Sequence, residues 1–155
     1  MPDADVLFTA HREGVFRYLC RIVGHEDARD LTQEVFLRVT RVAAPEAGSD
    51  ARRAWVFRIA RNLALNHVRD DKRRAMSGEL PNASTPARQG LATALREALG
   101  QLEPVDRDVF LMREAGGLSY EEISFACQLT NDAVRSRLHR ARQRLRATLG
   151  PRAGR

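Results

Sequence analysis

Apolar residues return every three or four positions through nearly all of this 155-residue chain, the period of amphipathic helices. No stretch alternates apolar and polar residues as a half-buried strand would, and no segment repeats. The pattern predicts an all-α protein. A first helix is expected from about Asp5 to Val23, burying Phe8, Val15, Phe16, Leu19, Ile22 and Val23, with Gly24 at its C′ position. A second should run from about Asp27 to Val42, with Ala28, Leu31, Val35, Phe36, Val39 and Val42 inward. After a loop containing Pro45 and Gly48, Ser49 or Asp50 can cap a third helix, about Ala51 to Arg74, that buries Val56, Ile59, Ala60, Leu63 and Ala64. The period then stops. Residues 76–90, MSGELPNASTPARQG, hold two prolines, two glycines and small polar groups, the make-up of a flexible linker. The chain should therefore form two small helical domains, residues 1–75 and 91–150.

The second domain opens with a helix from about Leu91 to Leu102, with Leu91, Leu95, Ala98, Leu99 and Leu102 inward. Pro104 suits the first position of the next, which carries Val105, Val109 and Met112 and ends at Gly116-Gly117. Ser119-Tyr120-Glu121-Glu122 is a capping box that opens a short helix reaching about Cys127. Thr130 is a good N-cap for the last helix, and Asp132 suits its positive end. That helix runs to Leu149 with one apolar stripe, Val134, Leu138, Ala141, Leu145 and Leu149, and arginine over much of the remainder. Two helices joined by a turn of about three residues, the second arginine-rich, form the pattern of a helix-turn-helix that lays its second helix in the major groove. An amphipathic helix with a solvated basic face is the plainer reading; the capped short helix directly before it favours the groove binder.

Charge sharpens this picture. The formal net charge is +6, and it comes in blocks. Residues 1–50 carry a net −3, residues 51–75 +6, residues 91–129 −4 and residues 130–155 +7. Each domain thus has an acidic part followed by a basic one. Lys72 is the only lysine; arginine, which suits bidentate contacts to phosphate and guanine, supplies the rest.

Several function classes lack support. No apolar run approaches a membrane span, and Met1–Asp5 has none of a signal peptide's apolar character. Cys20 and Cys127 lie far apart with no CxxC or Cys/His cluster, so no metal site is expected and both read as buried thiols in a reducing cytoplasm. No P-loop, GxSxG or HExxH occurs, the histidines His11, His25, His67 and His139 are scattered, and the carboxylates are expected on exposed faces. Neither catalysis nor a cofactor is expected.

Two further surfaces are candidates. On the second helix, Asp30, Glu34, Leu37 and Arg41 fall at i, i+4, i+7 and i+11, with Gln33 beside them. A leucine among carboxylates on an outward stripe fits a partner surface with a polar rim, although composition alone favours an ordinary solvated face. On the third helix, Arg58, Arg61, Asn62, Asn66, Arg69 and Arg73 lie opposite the apolar side, with Trp55 and Phe57 near the start. Charge for phosphates, amides for base edges and π faces for unstacked bases are what single-stranded nucleic acid needs. Either aromatic taken alone reads better as core.

Three stretches carry a family resemblance. DARDLTQEVFLRV (27–39), AWVFRIARNLALNHVRDDKRR (54–74) and LSYEEISFACQLTNDAVRSRLHRARQRLR (118–146) resemble regions 2.2, 2.3–2.4 and 4.2 of extracytoplasmic-function sigma factors, the small two-domain group of the bacterial sigma-70 family. The resemblance extends from about Leu7 to Leu149, in the family's order and with its linker. It implies a non-catalytic initiation factor whose partners are core RNA polymerase, promoter DNA and an anti-sigma factor, and which is a monomer when free. Asp30, Gln33, Glu34, Leu37 and Arg41 lie where the family docks on the clamp helices of the polymerase. The third helix lies where it melts the −10 element and captures a flipped base, which assigns Trp55, Arg58, Arg61, Asn62, Asn66, Arg69 and Arg73 to that element. The helix-turn-helix lies where it reads the −35 element, which assigns Thr130, Asn131, Asp132, Arg135, Ser136, Arg137, His139 and Arg140. This chain departs from the family in carrying Gln128 where the turn usually has glycine, and in lacking an aromatic in the loop Ala43–Asp50.

The competing class is a stand-alone dimeric helix-turn-helix regulator. It accounts equally well for residues 91–149 but leaves the outward stripe of the second helix and the basic third helix without a role. An enzyme acting on nucleic acid has no site to support it.

Overall fold

The computed structural model describes residues 4–42, 49–78 and 91–150. Among these, seven helices and no strand occur, and the chain divides into two compact units at residues 86/87.

The first unit contains α1 (Ala4–Val23), α2 (His25–Arg41) and α3 (Ser49–Met76), each packed on the other two. A single residue, Gly24, separates α1 from α2. Its φ of +91° is open to glycine, and it serves both helices: its N–H donates to the Cys20 carbonyl at 3.1 Å, and its carbonyl accepts from Ala28 N–H at 2.9 Å. The core is drawn from Leu7, Val15, Tyr18 and Leu19 of α1, Ala28, Val35, Phe36 and Val39 of α2, and Ala54, Val56, Phe57, Ala60, Leu63 and Ala64 of α3. Tyr18 meets Phe57 edge-on, with centroids 5.7 Å apart.

Several inward assignments shift. Leu7 and Tyr18 are buried in place of Phe8, which is 39% exposed and lies edge-on against Phe36 at 5.1 Å. Val42 follows α2 in extended backbone and is 54% exposed. Thr32 is buried, its hydroxyl donating to the Ala28 carbonyl at 2.6 Å. Phe57 belongs to the core. Ser49 and Asp50 fall inside α3 rather than ahead of it. The loop residues 43–48 and most of the linker, 79–90, lie outside the described residues.

α3 outruns its own core. At 28 residues it is roughly 42 Å long. Its last buried residue is Ala64, and every residue from Arg69 to Met76 is exposed. This overhang is held by local pairing. Asp71 meets Arg74 at 3.8 Å and His67 at 3.4 Å, and Arg73 and Arg74 complement the negative end of the helix.

The second unit contains α4 (Leu91–Gly100), α5 (Pro104–Glu114), α6 (Tyr120–Cys127) and α7 (Asn131–Leu149). α7 packs on α4, α5 and α6 and buries Val134, Leu138, Ala141 and Leu145, the expected stripe apart from half-buried Leu149. α5 starts at Pro104 and stops at Glu114, with Ala115 as its C-cap between it and the glycines. Gly117, with φ +72°, then turns the chain so that Leu118 N–H reaches the Met112 carbonyl at 3.0 Å and Leu118 is fully buried. Cys127 is buried with its Sγ 3.6 Å from Met112 Sδ, whereas Cys20 is only partly covered.

Candidate nucleic-acid interface

The junction of α6 and α7 is built from the termini inward. Ser119 accepts from Glu122 N–H at 3.1 Å, while the Glu122 carboxylate accepts from Ser119 N–H at 2.9 Å, so the capping box closes both ways. Glu122 is buried by this service. At the other end, Gln128 adopts left-handed backbone (φ 56°, ψ 50°) and Leu129 N–H returns to the Ser124 carbonyl at 3.0 Å. The Ser124 hydroxyl donates to the Leu129 carbonyl. Thr130 then caps α7, its hydroxyl accepting from Ala133 N–H at 3.1 Å. The turn is thereby fixed from both sides, and with it the direction in which α7 leaves.

The residues assigned to the −35 element separate into groups. Asn131, Asp132, Arg135, Ser136 and His139 are exposed in the N-terminal half of α7. Arg135 lies over the Tyr120 ring, its guanidinium carbon 5.7 Å from the centroid, and Arg113 approaches the same ring at 5.1 Å. Thr130 is occupied by capping. Arg137 is not an outward residue: its Nη1 donates to Glu103 at 3.0 Å and to Asp106 at 2.9 Å, and only a quarter of its side chain is exposed. Glu103, then Asp106, raise its pKa further above the ordinary arginine value. Arg140 meets the same Asp106 through Nε at 2.9 Å but leaves half its side chain in solvent. Arg142 pairs with Glu114 at 2.9 Å.

Asp106 itself is 1% exposed, and Asp108 is equally buried. The expectation that the carboxylates all lie on exposed faces therefore fails in α5. A carboxylate removed from water needs charge and hydrogen bonds in compensation. For Asp106 two guanidinium groups from the basic helix supply them, across sequence separations that no local pattern reveals.

On α3, Trp55, Arg58, Asn62, Asn66, Arg69 and Arg73 follow one another at steps of three and four and share one stripe. Asn62, Asn66, Arg69 and Arg73 are exposed, the last two on the overhang; Trp55 and Arg58 are half-buried near its start. Arg61 is half-buried beside the stripe. On α2, Asp30, Gln33, Leu37 and Arg41 are exposed and Glu34 is partly so. Leu37 keeps 49% of its surface in water, and Glu34 accepts from Arg38 at 3.3 Å along the same helix.

One histidine is less isolated than its position implies. His67 Nε2 lies 3.0 Å from Asp27 of α2 and 3.4 Å from Asp71 of α3. The three groups have the make-up of metal ligands, within 4.8 Å of one another. Pairing of the imidazole between two carboxylates accounts for the arrangement without an ion, and it ties α3 to the first turn of α2.

Comparison with known proteins bears on both units. The family model described as sigma-70 region 2 matches residues 7–74, and that described as sigma-70, region 4 matches residues 92–145. The ECF RNA polymerase sigma-E factor of Escherichia coli is 30% identical over 157 residues, covering 90% of this chain and 82% of that protein. The chain belongs to the extracytoplasmic-function sigma factors of the sigma-70 family. The ECF RNA polymerase sigma factor SigE of Mycolicibacterium smegmatis is 37% identical over 159 residues, covering 94% of this chain. This chain spans 61% of that relative's length. Among solved structures, CnrH in complex with the cytosolic domain of CnrY is similar with a TM-score of 0.69 at 25% identity, over 94% of this chain and 86% of that one. The fold is also that of the sigma factor RpoE in its complex with the anti-sigma factor NepR from Bartonella quintana, with a TM-score of 0.72 at 23% identity over 94% and 95% of the two chains. Sigma factors are transcription initiation factors rather than enzymes. No described helix is long and apolar enough to cross a membrane.

Proposed function

We propose that this chain is an alternative sigma subunit that binds core RNA polymerase in the cytoplasm and directs it to promoters carrying particular −35 and −10 elements. The observation that carries this reading is the outward face of α7. A helix capped by Thr130 offers Arg135, Ser136, His139 and Arg140 from the half that enters the groove in helix-turn-helix proteins. Asn131 and Asp132 lie in its first turn as further contacts. Arg137 is left out of the duplex-facing set, because Glu103 and Asp106 occupy it.

The α3 stripe takes the −10 element. Asn62, Asn66, Arg69 and Arg73 face outward for strand and base, with Trp55, Arg58 and Arg61 flanking them. Unstacking a base costs a few kcal/mol, which binding of the extruded base offsets. The α2 stripe of Asp30, Gln33, Glu34, Leu37 and Arg41 takes core polymerase, with Leu37 as its apolar centre. An anti-sigma factor would silence the protein by covering these faces on the two domains, residues 1–75 and 91–150. Free of partners, the chain would be a monomer.

Run-off transcription with purified core polymerase tests the reading, on promoters selected from a library randomised at both elements. Specific transcripts that need this chain support it. Transcription no different from that of core alone, with tight dimeric binding to duplex, would replace it with the stand-alone regulator.

A further inference from the structure

The pairing at Asp106 has a geometry that points beyond stability. Arg140 presents Nε to one carboxylate oxygen at 2.9 Å and Nη2 to the other at 3.5 Å, so one edge of its planar fork lies along the carboxylate. Among the described residues nothing engages Nη1, and the side chain is 51% exposed. Arg137 meets the same carboxylate through Nη1 and is anchored a second time by Glu103. The carboxylate is thus buried and doubly neutralised, while the two arginines it holds differ in what remains to them. Arg137 is three-quarters covered and secures Asp106. Arg140 is held by one edge with its other end in solvent.

We propose that Asp106 is a positioning residue for promoter recognition: it pre-orders Arg140 so that the free end of the guanidinium meets paired acceptors on the −35 duplex. This rests on the reading of α7 as the −35 helix. A free arginine samples many rotamers, and ordering them on contact offsets part of the binding energy. An arginine already pinned along one edge forgoes that cost and offers its three remaining N–H donors, two of them side by side on the Nη1/Nη2 edge, in a fixed direction. The acceptors are those of a phosphate or of a guanine O6/N7 edge, both of which suit a fork. Asp106 lies on α5 and does not itself face solvent, so any effect on DNA passes through the two arginines it holds, of which Arg140 is the one with a free edge.

The test is a double-mutant cycle in the reconstituted holoenzyme, on a −35 duplex selected by the wild-type holoenzyme from a randomised pool. Arg140→Ala should weaken binding by about 10-fold, and Asp106→Asn should weaken it by a smaller factor. The double variant should be no weaker than Arg140→Ala, because Asp106 has nothing left to position. A merely structural role would give losses that multiply. Arg140→Lys keeps the charge and leaves Asp106 paired with Arg137, so it tests the fork without disturbing the fold; it should bind like Arg140→Ala. Losses that fall on all single-base variants alike assign the fork to phosphate, and losses confined to a guanine position assign it to that base; both support the proposal. Multiplicative losses, or wild-type binding by Arg140→Lys, overturn it. If wild-type holoenzyme selects no −35 sequence, the reading of α7 has failed, and the proposal with it.

Discussion

Arg135 on α7 lies over the ring of Tyr120 on α6, 5.7 Å from its centroid, so the first outward arginine of α7 is steered by the helix before it. The ring supports the guanidinium plane while leaving its hydrogen-bonding edges available. Arg135 should therefore reach a base edge rather than wander over phosphates. Arg135→Ala is expected to cost about 1–3 kcal/mol on the preferred −35 element and less on a mutated one. Arg144→Ala, beyond the half that enters the groove, should weaken binding evenly and lower the salt slope by at most about one unit. Titration of holoenzyme on single-base variants at two salt concentrations checks both; equal loss on every sequence for Arg135→Ala would remove its base-reading role.

The helices and the core of the second unit were readable because their signals are local. The stripe Val134, Leu138, Ala141 and Leu145, the capping box at Ser119 and Glu122, and the cap at Thr130 all lie within a few residues of what they bond. Tyr18 was not readable as core, because a tyrosine can face either way and its partner, Phe57, lies on another helix. The same limit hid the use of Arg137. Its acidic partners are 31 and 34 residues away, and in sequence it looks no different from Arg135. The link from His67 to Asp27 spans 40 residues and was equally out of reach.

The outward stripe of α2 should decide association with core polymerase. Leu37→Asp puts a charge where half a leucine now lies in water, so folding should survive while a dry contact would not. Glu34→Arg loses a partly exposed pair with Arg38, worth about 0.3–0.5 kcal/mol within a helix, and sets two like charges at i,i+4, a cost of similar size that folding should survive. Either change should weaken binding to core by about 10-fold or more, in the range for central interface residues. Circular dichroism should remain native, and co-purification with core provides the measurement. Undiminished capture of both variants would return this stripe to a solvated face.

The outward stripe of α3 should matter for opening and not for folding. Asn62 and Arg69 are exposed, so alanine at either should change stability by less than about 0.5 kcal/mol. Asn62→Ala and Arg69→Ala should still permit a closed complex through the −35 contacts while reducing permanganate-reactive thymines near the start site. Normal reactivity in both variants would mean the helix serves only as support for the domain.

The turn of the helix-turn-helix carries the one described non-glycine residue with positive φ. Gln128 at φ 56°, ψ 50° brings its Cβ close to the following carbonyl, a cost of about 1–2 kcal/mol for an ordinary residue. Glycine would remove that cost but widen the conformations open to the unfolded chain, a penalty of roughly 0.5–1 kcal/mol. The first effect outweighs the second, so Gln128→Gly should stabilise the protein by about 0.5–1 kcal/mol. Asparagine tolerates this region better than most side chains while keeping a Cβ, so Gln128→Asn should fall between the two. Gln128 is exposed, and the bond from Leu129 N–H to Ser124 is made by backbone, so neither change removes a buried contact. Because α6 and α7 keep their caps at Ser119 and Thr130, binding to the −35 element should be unchanged in both variants. Denaturant titration followed by helical dichroism gives the order. Destabilisation by glycine would show that the amide side chain contributes more to the turn than its backbone strain costs.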